Sequence, residues 1–481
     1  MWRSQLKTFL AVFTGVFIAL TFVVPTFASD DITALRQQLA EQQALIEAQQ
    51  QQLEQQAQNL DRLSKRLDEI SVGKTDTSTV LASQQAVNTT PQEKVPPTLY
   101  TPRDGVGDLN SGELKAGEFP GSIAIPGSKN LSMAIGGFIK TAVITDSDAE
   151  AMGASFTPAY LGTKRSDTDG AFSIDSTLTR LFIDGRAPAR NGTLRGYIEG
   201  DLNNGNGGNL SLNMRQAYGN WQTESWTLLA GHTWSTMMDL KILPEGLTEP
   251  TVSGAIFTRQ PQIRWSQILD PELTLHAAIE DPSSSDVFDG SSNPELSNTR
   301  LPDFILGMEY DKKELGHLRL NTILRDLEVE LPSGEDDNEV AWGVALSGHL
   351  NLLARDRWRF SGVYGEGLGR YLVGIQSTAG SAIDPVRNEL SLRENWGVMT
   401  AYEHHWTQAL RSTAMLGHAE ANPLKWQAGS TFESTNYAAA NLMWQVLPYL
   451  TMGVEYAYGQ RENKDGSDLD NHRFSVGMQI Y

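Results

Sequence analysis

The chain has 481 residues, 58 of them acidic and 38 basic, which gives a formal net charge of −20. That balance argues against nucleic acid, which needs a basic footprint. The absence of cysteine removes disulfides, thiol catalysis and thiolate metal sites from consideration. Only 40% of residues are hydrophobic, so a helical membrane bundle is excluded, leaving a soluble protein or a barrel in which every second residue faces water.

The first element is a leader. Arg3 and Lys7 precede the apolar run Phe9 to Val24, and Thr26-Phe27-Ala28 offers small residues where a signal peptidase needs them. We therefore expect residues 1–28 to be a signal peptide cleaved after Ala28. The competing reading is a membrane-anchoring helix, because the run is near the lower limit for spanning.

Residues 31–71 predict a coiled coil. Ile32, Leu39, Ile46, Leu53, Leu60 and Leu67 recur at intervals of seven, and the companion heptad position holds Leu35, Gln42, Gln49, Gln56, Leu63 and Ile70. The central glutamine layers cost stability but can set register and oligomer state. The heptads fit a trimer and leave a dimer open; a solvated Gln-rich helix or spacer is the bland alternative. Residues 72–130, rich in Ser, Thr, Pro and Gly and carrying Pro96-Pro97, read as a linker.

From residue 131 to 481 the pattern changes to period two. Leu273, Leu275, Ala277 and Ile279 share one face, as do Leu450, Met452, Val454, Tyr456 and Tyr458, and later Phe474, Val476, Met478 and Ile480. The opposite faces are small or polar, as a water-filled lumen requires. About sixteen such segments are expected, with longer links alternating with short ones. The long links include Asp146 to Gly170, Ser235 to Gly254, Asp281 to Pro302, Gly367 to Glu394 and Gln460 to Asp470. The fold class is thus all-β, a transmembrane antiparallel barrel of about 16 strands preceded by a helical coil. The long links should be external and both termini, with the coil, periplasmic.

Placing the apolar alternates towards lipid turns a set of arginines inward: Arg180 and Arg186 beside Leu181 and Ile183, Arg195 beside Leu194, Arg215 beside Met214, and Arg264 beside Ile263 and Trp265. Arg319, Arg325 and Arg359 follow by the same rule. An arginine at the lipid midplane costs about 2–4 kcal/mol, so inward placement is favoured. Guanidinium rows suit anions because they keep their charge and present a donor fork to carboxylates. The structural alternative is that Arg180, Arg186 and Arg195 pair with Asp184, Glu199 and Asp201 to brace the wall. The link Ser235 to Gly254 carries Asp239, Lys241 and Glu245 and is expected to fold inward as a constriction loop. Acidic clusters such as Asp146, Asp148 and Glu150, or Asp465, Asp468 and Asp470, read as loop residues. Trp226, Trp234, Trp265, Tyr310, Trp342, Tyr364, Trp396 and Tyr402 read as interfacial girdles.

The stretches IGGFIKT (135–141), TRLFIDGRAP (179–188), LRGYIEGDL (194–202), LAGHTWSTMMDL (229–240) and FTRQPQIRW (257–265) resemble the DcaP-like trimeric outer-membrane porins. The resemblance implies a homotrimer of barrels with a periplasmic coil, passing small, preferentially anionic solutes such as dicarboxylates, in contact with outer-membrane lipid and lipopolysaccharide. No cofactor and no metal site is expected. An outer-membrane hydrolase could draw on His232, His276, His404, His405 or His418, but none has a spacing that defines a mechanism and no GxSxG occurs. The remaining alternative is a structural envelope protein whose coil anchors a partner while the barrel conducts little.

Overall fold

A computed structural model describes residues 116–125, 130–148, 152–162, 169–203, 211–282, 287–288, 300–331, 333–353 and 355–481. The expected signal peptide, coiled coil and most of the linker lie outside them.

The period-two segments form one closed antiparallel barrel of sixteen strands. In chain order these are β1 (Ser132–Asp148), β2 (in two halves, Asp169–Asp175 and Arg180–Ala189), β3 (Gly192–Asp201), β4 (Asn213–Gln222), β5 (Trp226–Trp234) and β6 (Arg259–Asp270). They continue with β7 (Leu273–Glu280), β8 (Asp303–Lys312), β9 (Gly316–Glu330), β10 (Asp336–Leu352) and β11 (Asp356–Glu366). The last five are β12 (Glu394–His405), β13 (Leu410–Ala421), β14 (Phe432–Leu447), β15 (Leu450–Asn463) and β16 (Asp468–Ile480). Each strand pairs with its sequence neighbours, and β16 returns to β1 with Ile480 opposite Ile139 and Arg473 opposite Asp146. No free edge remains, which is the condition for a sheet to sit in lipid.

The break in β2 is repaired by side chains. Between its halves, Thr179 Oγ1 contacts the backbone of Lys140, and Ser176 Oγ lies 2.9 Å from Thr141 Oγ. These hydroxyls satisfy β1 where the ladder lapses. Gly137 sits at the same place with φ +147, and a Cβ there would lie 2.0 Å from the Arg180 carbonyl oxygen.

Alternation sorts the wall into two faces. Leu181, Ile183, Leu194, Ile198, Leu212, Met214, Ile263 and Trp265 are exposed on the outside, and the residues between them point inward. Trp226 stacks on Trp265 with centroids 4.6 Å apart, and Trp342 meets Tyr364 edge-on at 5.8 Å, all on the outer surface. Trp234 departs from the girdle reading: it is buried in an internal cluster with Met237, Met238 and Leu243. Ile480 continues the outward alternation without a bulge, while Tyr481, beyond the strand, lies edge-on to Phe138.

Two further expectations change. Residues 116–125, within the expected linker, carry the short strand Ile123–Ala124 paired to β1, and Phe119 lies 4.2 Å under the Arg186 guanidinium. The linker therefore ends in ordered chain. Asp146 is not a loop residue but a buried member of β1, bridged by both Arg473 Nε (2.7 Å) and Nη2 (2.9 Å).

Candidate functional site

The lumen is the candidate site, and three inter-strand links fold into it: residues 152–162 after β1, 235–258 after β5 and 367–393 after β11. Backbone hydrogen bonds join the second to the third, Gly254 N–H to Val373 O and Phe257 N–H to Tyr371 O. The second joins the first through Glu249 N–H to Ala154 O. Their apolar side chains, including Leu243, Ile256, Leu368, Tyr371 and Ile375, form a core against Ile305, Ile323 and Val363 of the wall. Each fully buried large apolar side chain contributes about 1.5–3 kcal/mol, enough to hold irregular chain inside a polar barrel.

Polar anchors decide where the 235–258 loop runs. Asp239 Oδ2 accepts from Ser347 Oγ on β10 (2.7 Å) and lies 2.9 Å from His317 Nε2 on β9. Glu245 meets Arg411 on β13 in a two-point ion pair, and its carbonyl accepts from Asn441 on β14. Glu455 on β15 accepts from the Leu247 and Thr248 N–H groups and from Thr248 Oγ. Glu249 then reaches Arg215 on β4 at 3.3 Å. The loop thus runs inside the barrel from the β9–β10 wall past β13, β14 and β15 to β4.

Of the three charged residues singled out on this loop, Asp239 and Glu245 are buried and spent on anchoring. Burial alone would raise the Asp239 carboxyl, but the hydrogen bonds from His317 and Ser347 and the nearby Arg319 charge outweigh it and hold it below its ordinary 3.8. Lys241 is the one that meets lumen water, its side chain 45% exposed, bridging Glu309 and Asp311 of β8. Burial works against its ammonium, yet the two carboxylates outweigh it and raise its pKa above 10.5.

All eight singled-out arginines point inward, and seven of them are ion-paired. Arg180 lies beside Glu199 and Asp201, and Arg215 touches Asp201, Glu199 and Glu249. Arg319 meets Glu309, Arg325 meets Asp303 and Arg359 meets Glu403. Arg186 and Arg195 share a single carboxylate, Asp184, at 2.8 and 2.9 Å, and remain 31% and 18% exposed. With Asn220 and Gln222 they line a recess of about 510 Å³, with Glu224 of the β4–β5 turn at its rim. Arg264 differs: its donors go to Gln262 Oε1 (2.9 and 2.6 Å) and the Trp234 carbonyl (2.6 Å), both neutral.

Inward carboxylates, by contrast, are taken up. Asp303 holds Arg325, Arg370 and the Tyr371 hydroxyl, and Glu280 accepts from Ser235 Oγ and Thr236 N–H. Several of these partners escaped the sequence reading. Arg411 and Arg473 obey the same alternation rule and could have been found by it. Arg259 could not, because alternation from Ile263 sends it outward, whereas it lies over the Trp234 ring at 4.7 Å where the strand bends into the loop. The inserted 367–393 link carried no signal beyond its length.

The barrel is lined with charged side chains on its inner face and apolar ones on its outer face. The channel DcaP of Acinetobacter baumannii superposes with a TM-score of 0.64 at 22% identity, covering 73% of this chain and 97% of that one. OmpF of Salmonella typhi, in complex with daunomycin, gives 0.48 at 11% identity over 73% and 98% of the two chains. OprB of Pseudomonas putida gives 0.44 at 9% identity over 72% and 94%. No curated protein matches the sequence. A profile of the family described as DcaP outer membrane protein matches residues 150–477, well over half of the chain. The protein is an outer-membrane, porin-like β-barrel, and it belongs to the DcaP outer membrane protein family.

Proposed function

We propose that the chain is a channel for passive diffusion of small hydrophilic solutes and that it prefers anions of the dicarboxylate kind. The observation that carries this reading is Arg264, an inward guanidinium bonded only to neutral acceptors while the inward carboxylates around it are occupied by cations or backbone N–H groups. The shared Asp184 adds to it, leaving two partly exposed guanidinium groups on one carboxylate. Such groups favour an anion in transit without holding it, as conduction requires. In this reading the chain works as a homotrimer whose 31–71 coil stays periplasmic, with the outer wall against lipid and lipopolysaccharide.

Reversal potential under a salt gradient in a planar bilayer tests the preference. A unit charge about 4 Å away is worth about 1 kcal/mol in water, or about five-fold in relative permeability, so Arg264→Gln should cut the anion preference by up to that factor. Cation preference in the unmodified protein overturns the selectivity and leaves the channel. The three inserted loops favour a second reading, a structural envelope protein with little conductance, which an absence of channels from folded protein would establish.

A further inference from the structure

Glu309, held by Arg319 near Arg264, is also one of a separate cluster of three potential metal ligands. Asp311 and His317 are direct cross-strand partners at the turn end of β8 and β9, and Glu309 precedes Asp311 by two residues on the same inward face. One ligand atom from each of the three lies within 4.8 Å of the other two. His317 Nδ1 is 3.8 Å from both Glu309 Oε1 and Asp311 Oδ2.

The imidazole is the informative member. Its side chain is 0% exposed, and Nδ1 has no hydrogen-bond partner, although buried ring nitrogens ordinarily find one. Its other nitrogen, Nε2, lies 2.9 Å from the Asp239 carboxylate of the inserted 235–258 loop. A carboxylate there accepts a hydrogen bond from Nε2–H, which leaves the lone pair on Nδ1, on the side of the two β8 carboxylates. Metal-bound histidines are oriented by the same kind of carboxylate partner. Glu309 is oriented too: its Oε2 lies 3.3 Å from His276 and 3.5 Å from Arg319, leaving Oε1 for the cluster.

We propose that Glu309, Asp311 and His317 form a binding site for a divalent transition-metal ion, one in which the ion competes with the Lys241 ammonium. One nitrogen and two carboxylate oxygens suit zinc, with a water in the fourth position. Bonds of about 2.1 Å in tetrahedral array set ligands about 3.4 Å apart. The two 3.8 Å separations from His317 therefore need to close by only a few tenths of an ångström, and the two carboxylate oxygens, within 4.8 Å of each other, must also draw together. Lys241 Nζ occupies the same two oxygens, Glu309 Oε1 at 2.7 Å and Asp311 Oδ2. Asp311 is 43% exposed, so an ion enters from the lumen. Binding swings Lys241 off β8, while Asp239 stays on the far side of the imidazole.

Calorimetric titration with zinc chloride of the full chain, folded in detergent, tests the site without reference to conductance. Lys241→Met removes the competitor and should bind zinc at least tenfold more tightly than the unmodified protein, at one ion per chain. Adding Asp311→Asn, a half-exposed position that does not threaten folding, should remove that gain. Binding detectable only in Lys241→Met also supports the site. Equal affinity in all three proteins, as surface histidines such as His472 would produce, overturns it, and so does the absence of binding in Lys241→Met.

Discussion

The Glu245–Arg411 pair offers the sharpest test of how the inserted 235–258 loop is held. Both side chains are 7% exposed and meet at two points, and the residues stand 166 positions apart in sequence. Glu245→Ala leaves the Arg411 guanidinium buried, with only the more distant Tyr481 and a Glu403 already engaged by Arg359 to favour its charge. Breaking such a pair from one side costs about 3–5 kcal/mol, chiefly the unpaired buried charge. Arg411→Ala should cost a similar amount for the same reason. Removing both charges relieves that penalty, so the double variant should fall short of the summed single losses by about 2–3 kcal/mol. Guanidinium-induced unfolding of detergent-folded protein, followed by tryptophan fluorescence, gives the four free energies of the cycle. Additivity to within about 0.5 kcal/mol would refute the view that this pair, rather than the surrounding apolar core, anchors the loop. Conductance should be unchanged in the double variant, because Asp239 and the Glu455 contacts still pin the loop on either side.

Other outcomes follow from the same contacts. The Asp239 carboxyl is held below 3.8, so its anchoring is complete above the unfolded value of about 3.9 and is lost as pH falls through the lower folded value. Hydrogen exchange across residues 237–243, corrected for intrinsic rates, should therefore show loss of protection only below pH about 4; loss at pH 6 would contradict the assignment. At Gly254, φ is +87 and a Cβ would lie 2.4 Å from the Val398 carbonyl oxygen and 2.5 Å from that of His418. Gly254→Ala should cost about 1–3 kcal/mol for the backbone conformation and about as much again for overpacking, lowering the unfolding midpoint. Gly362→Ala, with no atom within 4 Å of the added Cβ, should leave that midpoint unchanged.

Alternation by itself determined which face of each strand meets lipid, because a residue in a strand can point only one of two ways and charge is costly in hydrocarbon. The strand count followed from the same rule together with the breaks between segments. Composition misled where strands outrun the membrane. Residues 460–470 read as a charged loop, yet Gln460–Asn463 belong to β15 and Asp468–Asp470 to β16, leaving a link of only 464–467. Beyond the lipid both faces of a hairpin can be polar, so the alternating signal vanishes while the pairing continues.

What the tertiary structure decided is the pairing within the lumen. Inward arginines could be recognised one by one, but whether each is free or neutralised depends on carboxylates far away in sequence, as with Arg325 and Asp303 or Arg411 and Glu245. The same holds for the loops, whose buried residues show no period because they follow no regular backbone. Glu245 looks like any loop glutamate until β13 brings Arg411 to it, and His317 becomes a candidate ligand only when Asp239 arrives on its other nitrogen. Periodicity encodes which way a residue points; the closed barrel alone determines what it meets.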